Sequence, residues 1–438
     1  MKPFAPPLAR LIPATAFAAL VAACAAPPVG LGIELPALTA PAVTGDRAMS
    51  ATVVEPVVAM ETVITAAPEF SGGSRTPRRG VVTAGDIDDG LNLAAFQRYV
   101  AGAASRLDMP QVNLGNPVLA RITGPDGQPA PGVRITLRRP GATDPFYDGY
   151  SGVDGMVTVF PAVLGAGRLS EVELRAFSDG NGPEVVQRLT TGTRTLIHLP
   201  EPGDWNPDFL DLVFVLDTTG SMGDELAWLT REMRGIVGTA ARAAPGVDIR
   251  YGLIVYRDQG DDYVVQNYGF TPSQATMVNW LRGQSAGGGG DYPEAAADAL
   301  RAGAALDWRR GKGERLMIHI ADAPPHSPDA RAYLDAARLA ALTGVQVYGL
   351  GASGVADEAE FLMRQAAAIT NGRYMFLTDD SGVGNAHAEP AIACYRVTAL
   401  TGLLTRVLQS ELSGHRVEAT GAQVIREVGS YAAGVCRQ

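Results

Sequence analysis

Two short apolar runs in the second half of the chain each stop abruptly at an acidic residue. Residues 212–216 read Leu-Val-Phe-Val-Leu and are followed by Asp217, and residues 316–321 lead in the same way into Asp322. Runs of this length and composition predict buried strands. After the first run, apolar residues recur at helical spacing, at Leu226, Leu229, Met233, Ile236 and Ala240. The pattern therefore predicts a strand, a tight turn and an amphipathic helix.

The same alternation continues toward the C-terminus. Another helix is predicted around residues 333–341 and ends at Gly344, and residues 345–350 and 374–377 read as the last strands. Strands that alternate with helices indicate an α/β fold whose mostly parallel sheet is covered on both faces. In such sheets ligands bind at the carboxyl ends of the strands, where Asp217 and Asp322 are expected to lie.

The turn after the first run is rich in oxygen ligands. Asp217, Thr219 and Ser221 are spaced so that their side chains converge from a single turn. Mg²⁺ prefers carboxylates, hydroxyls and retained water in octahedral geometry, so this set suits a hard cation. The alternative is an ordinary strand-to-helix turn in which Ser221 or Asp224 caps the helix.

These segments resemble the metal-ion-dependent adhesion site of von Willebrand factor A (vWA) domains, with the pattern Asp-x-Ser/Thr-x-Ser at residues 217–221. The resemblance covers residues 205–412 and implies a doubly wound, Rossmann-like α/β domain with a central, mostly parallel sheet. Residues 287–294, Gly-Gly-Gly-Gly-Asp-Tyr-Pro-Glu, look like the Asp-x-Pro-Glu loop of the vWA-type domain in integrin β subunits. The resemblance implies that Glu294 and Asp322 join Asp217, Thr219 and Ser221 around Mg²⁺ or Mn²⁺.

Two flanking Ca²⁺ sites follow from the same integrin-like branch. Asp224 and Glu225 stand where that branch keeps an acidic pair, although acidic residues in the first turn of a helix are also favoured by the helix dipole alone. Asp258 and Asp291 would hold the other ion, together with Glu294 and the carbonyl of residue 293. At that second site Gly289 replaces an Asn ligand of the family.

Residues 113–200 have a different pattern. The turn cluster at residues 124–132 precedes Val133, Ile135 and Leu137, which alternate along one face of a strand, and a second turn leads into residues 156–160. Short, turn-separated strands of period two predict a small all-β sandwich that precedes the α/β domain. The segment resembles immunoglobulin-like and carboxypeptidase-regulatory-like modules, which implies a spacer.

The N-terminus predicts export. Lys2 and Arg10 precede an apolar stretch that is too short to span a bilayer, as in a secretory signal peptide at residues 1–23. Residues 21–24, Val-Ala-Ala-Cys, look like the lipobox of bacterial lipoproteins, which implies lipidation of Cys24 and an address in the cell envelope, with the outer membrane favoured in a Gram-negative host. The alternative is an ordinary signal peptide with a chance Cys. Residues 24–112 are predicted to be a flexible tether with a short helix at residues 91–104.

The remaining cysteines, Cys394 and Cys436, form an even pair in an oxidising compartment. A disulfide between them would close a loop worth roughly 4 kcal/mol by loop entropy. It would hold the C-terminal tail, residues 413–438, near the start of the last helix. Two free buried thiols are the alternative.

The predicted function is recognition. A hydrophobic content of 46% supports two folded domains, and a net charge of −10 argues against nucleic acid as a partner. The resemblance implies a membrane-anchored lipoprotein whose vWA domain binds the carboxylate of a protein partner through the cation, as in adhesion. An envelope assembly scaffold and a Mg²⁺-dependent hydrolase are the alternatives, and no phosphate-binding loop or Ser-His-Asp set supports an enzyme. His319 is expected in the core. His326 is expected on a surface loop, and the alternative is that it approaches the site, since it follows the Asp322 turn.

Overall fold

The computed structural model describes residues 81–177, 184–203, 205–243, 245–352, 354–381 and 390–437. The helices in these ranges are α1 (Leu93–Leu107), α2 (Gly223–Ala243), α3 (Gln274–Arg282), α4 (Ala296–Ala304), α5 (Ala330–Leu342), α6 (Asp357–Ile369) and α7 (Leu400–Ser413). The strands are β1 (Thr83–Ile87), β2 (Val118–Thr123), β3 (Arg134–Arg138), β4 (Pro145–Tyr150), β5 (Met156–Val159), β6 (Glu171–Phe177), β7 (Glu184–Thr190), β8 (Arg194–His198), β9 (Phe209–Asp217), β10 (Asp248–Tyr256), β11 (Val265–Thr271), β12 (Gly313–Ala321), β13 (Gln346–Gly351), β14 (Tyr374–Thr378), β15 (Tyr395–Ala399), β16 (Arg426–Val428), β17 (Tyr431–Ala432) and β18 (Val435–Cys436).

A nine-stranded sheet forms the centre of the α/β part, in the order β11-β10-β9-β12-β13-β14-β1-β15-β16. Its five central strands, β10, β9, β12, β13 and β14, are parallel, and the flanking strands pair antiparallel. Every residue of β9 is buried, as expected of a strand covered on both faces. The predicted mostly parallel, doubly wound α/β fold is confirmed.

Helices cover both faces of this sheet. Alternate residues of β9 point to opposite faces, so that Val213 and Val215 pack with α1, α4, α5 and α6, whereas Leu212 and Phe214 pack with α2, α3 and α7. In α2 the predicted apolar stripe is the buried one, with Leu226, Leu229, Met233 and Ile236 all in the core. The hydrophobic pattern along the chain therefore fixes the side of the sheet on which each helix lies.

Residues 118–198 contain the predicted β-sandwich. One sheet has the order β5-β2-β8 and the other β4-β3-β6-β7. The alternating residues Val133, Ile135 and Leu137 are buried between the sheets, as their period of two predicted. Trp205 follows the sandwich and donates its indole N–H to the Glu411 carbonyl at 3.1 Å, which ties this module to α7.

Two boundaries differ from the predicted ones. The predicted tether includes residues 83–107, but β1 pairs with β14 and β15 inside the central sheet, and α1 packs on the same core. The tail after residue 412 contributes β16, which pairs with β15 at the edge of the sheet. Both strands pair across long separations in sequence, which a local pattern cannot reveal. The predicted signal peptide, Cys24 and the tether up to residue 80 lie outside the described residues.

The predicted disulfide is confirmed. Cys394 and Cys436 are bonded, with their Cα atoms 5.4 Å apart. The bond closes β18 onto the segment before β15 and so fixes the C-terminal strands to the sheet. No helix within the described ranges combines the length and the apolar character needed to cross a membrane.

Candidate metal centre

Three loops meet at the carboxyl ends of β9 and β12. The glycine-rich loop at residues 287–294 lies against the turn after β9, where the Gly287 N–H donates to the Thr218 carbonyl at 3.0 Å. At the other end of this loop, the Glu294 N–H donates to the Pro324 carbonyl at 3.0 Å, beyond the end of β12. Main-chain hydrogen bonds therefore hold the three loops against one another.

Asp217 lies at the bottom of this site with none of its surface exposed. Its Oδ1 accepts hydrogen bonds from the Thr219 N–H at 2.9 Å and the Thr219 hydroxyl at 2.7 Å. Its Oδ2 has no hydrogen-bond partner among the described residues. Burial raises the pKa of Asp217 to about 7, with a further contribution from Asp322, although the bonds from Thr219 act in the opposite direction.

Glu294 and Asp322 repeat this arrangement. Each is about 5% exposed or less, and Glu294 Oε2 and Asp322 Oδ1 find no partner within the described part of the chain. Burial, followed by the charges of Asp217 and Asp258, raises the pKa of Glu294 to about 9. Burial also raises the pKa of Asp322, against a hydrogen bond from Ser221. Three neighbouring carboxylates are thus buried with one oxygen each left unsatisfied.

Such a group is unfavourable in its ionised form unless a cation joins it. The two hydroxyls that the sequence predicts as ligands lie near each other, with Thr219 Oγ1 3.5 Å from Ser221 Oγ. Thr219 is buried and Ser221 is exposed, so the side of the site that carries Ser221 faces solvent. Carboxylates, hydroxyls and access for water form the donor set that Mg²⁺ prefers. The residues present fit this ion, which would supply a positive charge that none of the described side chains brings to these three carboxylates.

Gly289 leaves room for this arrangement. Its φ is +76°, and a Cβ at this position would lie 2.9 Å from Glu294 Oε1 and 3.2 Å from the Thr219 Cβ. A ligand side chain such as Asn at residue 289 would therefore displace the glutamate. The replacement of the family's Asn ligand by Gly289 agrees with the close approach of this residue to Glu294.

The predicted pair Asp224 and Glu225 lies in the first turn of α2. Asp224 is exposed and Glu225 is buried. The charge of Glu225 contributes to the raised pKa of Asp322, so this carboxylate lies near the main site. Its place at a helix N-terminus also suits a negative charge.

Asp258 and Asp291, the other predicted pair, lie together, and the structure adds His326 to them. One potential donor atom from each of the three side chains lies within 4.8 Å of the others. His326 Nε2 is 2.6 Å from Asp258 Oδ1, and this bond raises the pKa of the imidazole. The sequence placed His326 on a surface loop, and its position four residues after Asp322 was the signal for its approach to this group.

Two further contacts had no sequence signal. Asp261 Oδ2 accepts from the Asp258 N–H at 3.0 Å and the Gly289 N–H at 2.9 Å, so it positions the glycine-rich loop. The Tyr292 hydroxyl lies 3.0 Å from the carbonyls of Asp322 and Gly354 and donates to them. Both residues bridge loops that are distant in sequence.

His319 lies in the core, as its place within a buried strand predicted. It is 1% exposed, and its ring nitrogens lie 3.0 Å from the hydroxyls of Tyr256 and Tyr333. Burial lowers its pKa to about 3, so the ring is neutral. Its two hydrogen bonds give it a structural role beneath the site.

Comparison with known proteins assigns the part of the chain that carries this site. The family model for the von Willebrand factor A domain matches residues 211–379. Among curated proteins, an ariadne-like RING finger protein of Acanthamoeba polyphaga mimivirus is 36% identical over 121 residues, which are 28% of this chain and 12% of that protein. An alpha-protein kinase of Dictyostelium discoideum is 29% identical over 130 residues, which are 29% of this chain and 20% of that protein. The chain thus spans a fifth or less of these two relatives.

Among solved structures, the chain is similar to the conserved hypothetical protein BatB from Bacteroides thetaiotaomicron. It is 16% identical with a TM-score of 0.34, over 47% of this chain and 98% of that one. The pilus adhesin SpaC from Lactobacillus rhamnosus GG, in its open conformation, is 15% identical with a TM-score of 0.36, over 55% of this chain and 32% of that one. The family match and the α/β architecture lead to one assignment: residues 211–379 of this chain form a von Willebrand factor A domain.

Proposed function

We propose that this vWA domain binds a protein partner through a divalent cation, Mg²⁺ or Mn²⁺, held by Asp217, Thr219, Ser221, Glu294 and Asp322. Domains of this family generally mediate protein–protein interaction or adhesion. One observation carries the proposal. Asp217, Glu294 and Asp322 are buried side by side, and each has an oxygen without a hydrogen-bond partner among the described residues. A bound cation satisfies all three oxygens at once.

The partner would complete the coordination of the ion. Hard cations take oxygen ligands, and a carboxylate from the partner supplies both an oxygen and the opposite charge. Ser221 lies on the solvent side of the site, and Tyr292, whose hydroxyl donates to the Asp322 carbonyl, is 51% exposed. Aromatic side chains are enriched in protein interfaces, so Tyr292 is a suitable contact for the partner.

The same proposal places the protein in the bacterial cell envelope, with a lipid anchor at Cys24. The cation site would then act at the end of a tether and a β-sandwich. Substitution Cys24→Ser should move the protein from the membrane fraction to the soluble fraction after cell lysis. An unchanged amount of protein in the membrane fraction would contradict the lipid anchor. It would not bear on the cation site, which is tested separately.

Partner capture tests the cation-dependent function. The immobilised protein is exposed to envelope extracts with Mg²⁺ or with EDTA, and the captured proteins are compared between the wild type and Asp217→Ala. We expect capture in Mg²⁺ that is lost both with EDTA and in the variant. Asp248→Asn is the matched control, because Asp248 is an exposed carboxylate at the opposite end of the sheet.

An envelope scaffold with a purely structural vWA domain predicts a different result. In that case the same partners are captured with Mg²⁺ and with EDTA, and Asp217→Ala has no effect. That outcome would overturn the cation-mediated mechanism. Far-UV circular dichroism of the variant shows whether a loss of capture comes from unfolding instead.

A further inference from the structure

A second group of metal-binding side chains lies next to the first, and it contains an imidazole. Asp258 comes from the loop after β10, Asp291 from the glycine-rich loop before α4, and His326 from the loop after β12. One potential donor atom from each residue lies within 4.8 Å of the other two. Three separate loops therefore converge on one point.

The separation of the donor atoms suits a small metal ion. Zinc binds nitrogen and oxygen at about 2.0–2.2 Å, so two ligand atoms of a tetrahedral site lie about 3.3 Å apart. Here His326 Nε2 and Asp258 Oδ1 are 2.6 Å apart, and the other separations reach at most 4.8 Å. The separation of about 3.3 Å expected between two ligand atoms lies between these two distances. Asp291 is exposed, so its side chain can close on an ion with little hindrance.

The backbone of each loop is anchored. The Asp258 N–H donates to Asp261 Oδ2 at 3.0 Å, and the Asp329 N–H donates to the His326 carbonyl at 2.8 Å. Tyr292, the residue after Asp291, is held through its hydroxyl. Ligands on anchored loops are organised before the ion arrives, which reduces the entropy lost on binding.

Among the described residues, no arginine forms an ion pair with Asp258 or Asp291. Arg257 is adjacent to Asp258 in sequence, but its guanidinium contacts the Ser285 carbonyl at 2.9 Å and Asp262 at 3.6 Å. Glu294, which belongs to the main site, lies close enough to feel this group: burial first, and then the charges of Asp217 and Asp258, raise its pKa. When its ring is protonated, His326 is the ion-pair partner of Asp258.

We propose that Asp258, Asp291 and His326 bind a divalent first-row transition metal, and that Zn²⁺ is the best fit. Calcium and magnesium are bound by oxygen ligands, whereas imidazole with carboxylates suits zinc and its neighbours. This preference differs from the Ca²⁺ that the integrin-like resemblance implies for Asp258 and Asp291. Three protein ligands leave a coordination position open to water or to a partner. The proposal does not depend on the cation at Asp217.

Metal content gives the direct test. The untagged full chain is stripped with a chelator and dialysed against Zn²⁺ in the presence of excess Mg²⁺ and Ca²⁺, and the bound metals are measured by mass spectrometry. We expect one Zn²⁺ per chain that the other ions do not displace. His326→Gln and Asp291→Asn should each weaken Zn²⁺ binding by more than about 100-fold, since loss of a direct ligand costs more than loss of a supporting contact. With Co²⁺ in place of Zn²⁺, His326→Gln should also remove the visible absorption of the bound ion.

Two controls separate this site from others. His415→Gln removes an exposed histidine that lies 3.6 Å from a single carboxylate of Asp154, and it should leave Zn²⁺ binding unchanged. Asp217→Asn should retain Zn²⁺ even if it loses its response to Mg²⁺, so failure of the main site and failure of this one are distinguishable. Zn²⁺ binding that survives both His326→Gln and Asp291→Asn would overturn the proposal, as would displacement of Zn²⁺ by Ca²⁺. Asp291 is exposed, so its variant tests the site even if His326→Gln folds poorly.

Discussion

Asp211 and Asp217 lie at opposite ends of β9, and both are fully buried. Asp211 accepts hydrogen bonds from Arg250 Nε at 2.9 Å and Nη2 at 2.7 Å, and from the N–H and Nε of Arg309 at 2.9 and 2.8 Å. Asp217 accepts hydrogen bonds from Thr219 through Oδ1, and its Oδ2 has no partner in the described structure. The same residue type on one strand thus occupies two opposite electrostatic environments.

The pKa values of the two carboxyls show the difference. Burial opposes the ionisation of both, but the hydrogen bonds from Arg250 and Arg309 outweigh it and hold the pKa of Asp211 below its usual value. At Asp217 burial prevails and raises the pKa to about 7. At the amino end of β9 the protein supplies its own countercharge, whereas at the carboxyl end no described side chain pairs with Asp217 Oδ2, which favours an external cation. A buried acid whose hydrogen bonds are incomplete therefore marks a binding site better than burial alone.

The largest effect is expected at the satisfied end. Asp211→Asn should lower the free energy of unfolding by about 3–5 kcal/mol, because it removes the countercharge of two partly buried arginines. Urea denaturation of the variant and the wild type in EDTA measures the difference. Asp248→Asn is the matched control: this carboxylate also pairs with Arg309, at 2.7 Å, but it is 71% exposed, so its loss should cost about 1 kcal/mol or less. Equal losses in the two variants would contradict the special role of Asp211.

The sequence could predict the unsatisfied end of β9 better than the satisfied one. Asp217 follows an apolar run directly, so the strand and the turn together predict an oxygen-rich site. The structure brings Glu294 and Asp322 beside Asp217. Asp211 interrupts a strand pattern without any local sign of its partners, which lie in β10 and in the loop before β12. The place of His326 after Asp322 allowed it to approach the site, but nothing in the sequence indicated Asp258 as its contact. Local periodicity predicts elements and their ends, whereas contacts between distant loops depend on the packing of the whole domain.

The place of β1 in the sheet was also hidden from the sequence, because its pairing partners are remote. Thr83 pairs with Thr378 and Ala399, and the intervening chain includes the entire sandwich. The short strand reads as part of a linker because it is flanked by a Pro- and Ala-rich segment and its pairing partners are remote. The end of a tether and a strand of the sheet look alike in sequence until the partner strands are known.

At the unsatisfied end, neutralising the acid should have the opposite effect in the absence of cations. The folded pKa of Asp217, about 7, lies above its unfolded value near 4. Its contribution to stability is therefore complete below pH 4 and is lost as the pH rises through 7. Asp217→Asn has no proton to lose, so in EDTA it should gain stability relative to the wild type between pH 5 and pH 8, by up to about 4 kcal/mol.

Urea denaturation of Asp217→Asn and the wild type at pH 5 and at pH 8 measures this gain. The stability lost in Asp211→Asn should depend on pH in the opposite way. Because the pKa of Asp211 is lowered in the folded protein, its carboxylate stabilises the fold above its unfolded pKa, and this contribution is lost as the pH falls. A loss of stability in Asp217→Asn at pH 8 would show that the carboxylate is satisfied by the protein after all.

Cation binding should reverse the disadvantage of Asp217. A ligand that binds only the folded state stabilises it by about 2.7 kcal/mol at 100 times its dissociation constant. Mg²⁺ should therefore raise the midpoint of thermal unfolding of the wild type after EDTA treatment, and Asp217→Asn should abolish this rise. Asp211→Asn should unfold at a lower temperature but keep its response to Mg²⁺. A response that disappears in both variants would mean that the two ends of β9 are not independent.

The smallest effect concerns the space around the ligands. Gly289→Ala places a Cβ 2.9 Å from Glu294 Oε1 at a φ of +76°, so it should cost about 1–2 kcal/mol and also weaken the Mg²⁺ response. Gly246→Ala is the matched control, since Gly246 has a φ of +96° but no atom within 4 Å of the added Cβ. It should show the same backbone strain with an unchanged response to Mg²⁺. Thermal unfolding with and without Mg²⁺ separates the two contributions, because strain lowers both midpoints equally whereas displacement of Glu294 reduces the difference between them. Equal Mg²⁺ responses in the two variants would show that the glycine is required only for its backbone conformation and not for the position of the glutamate.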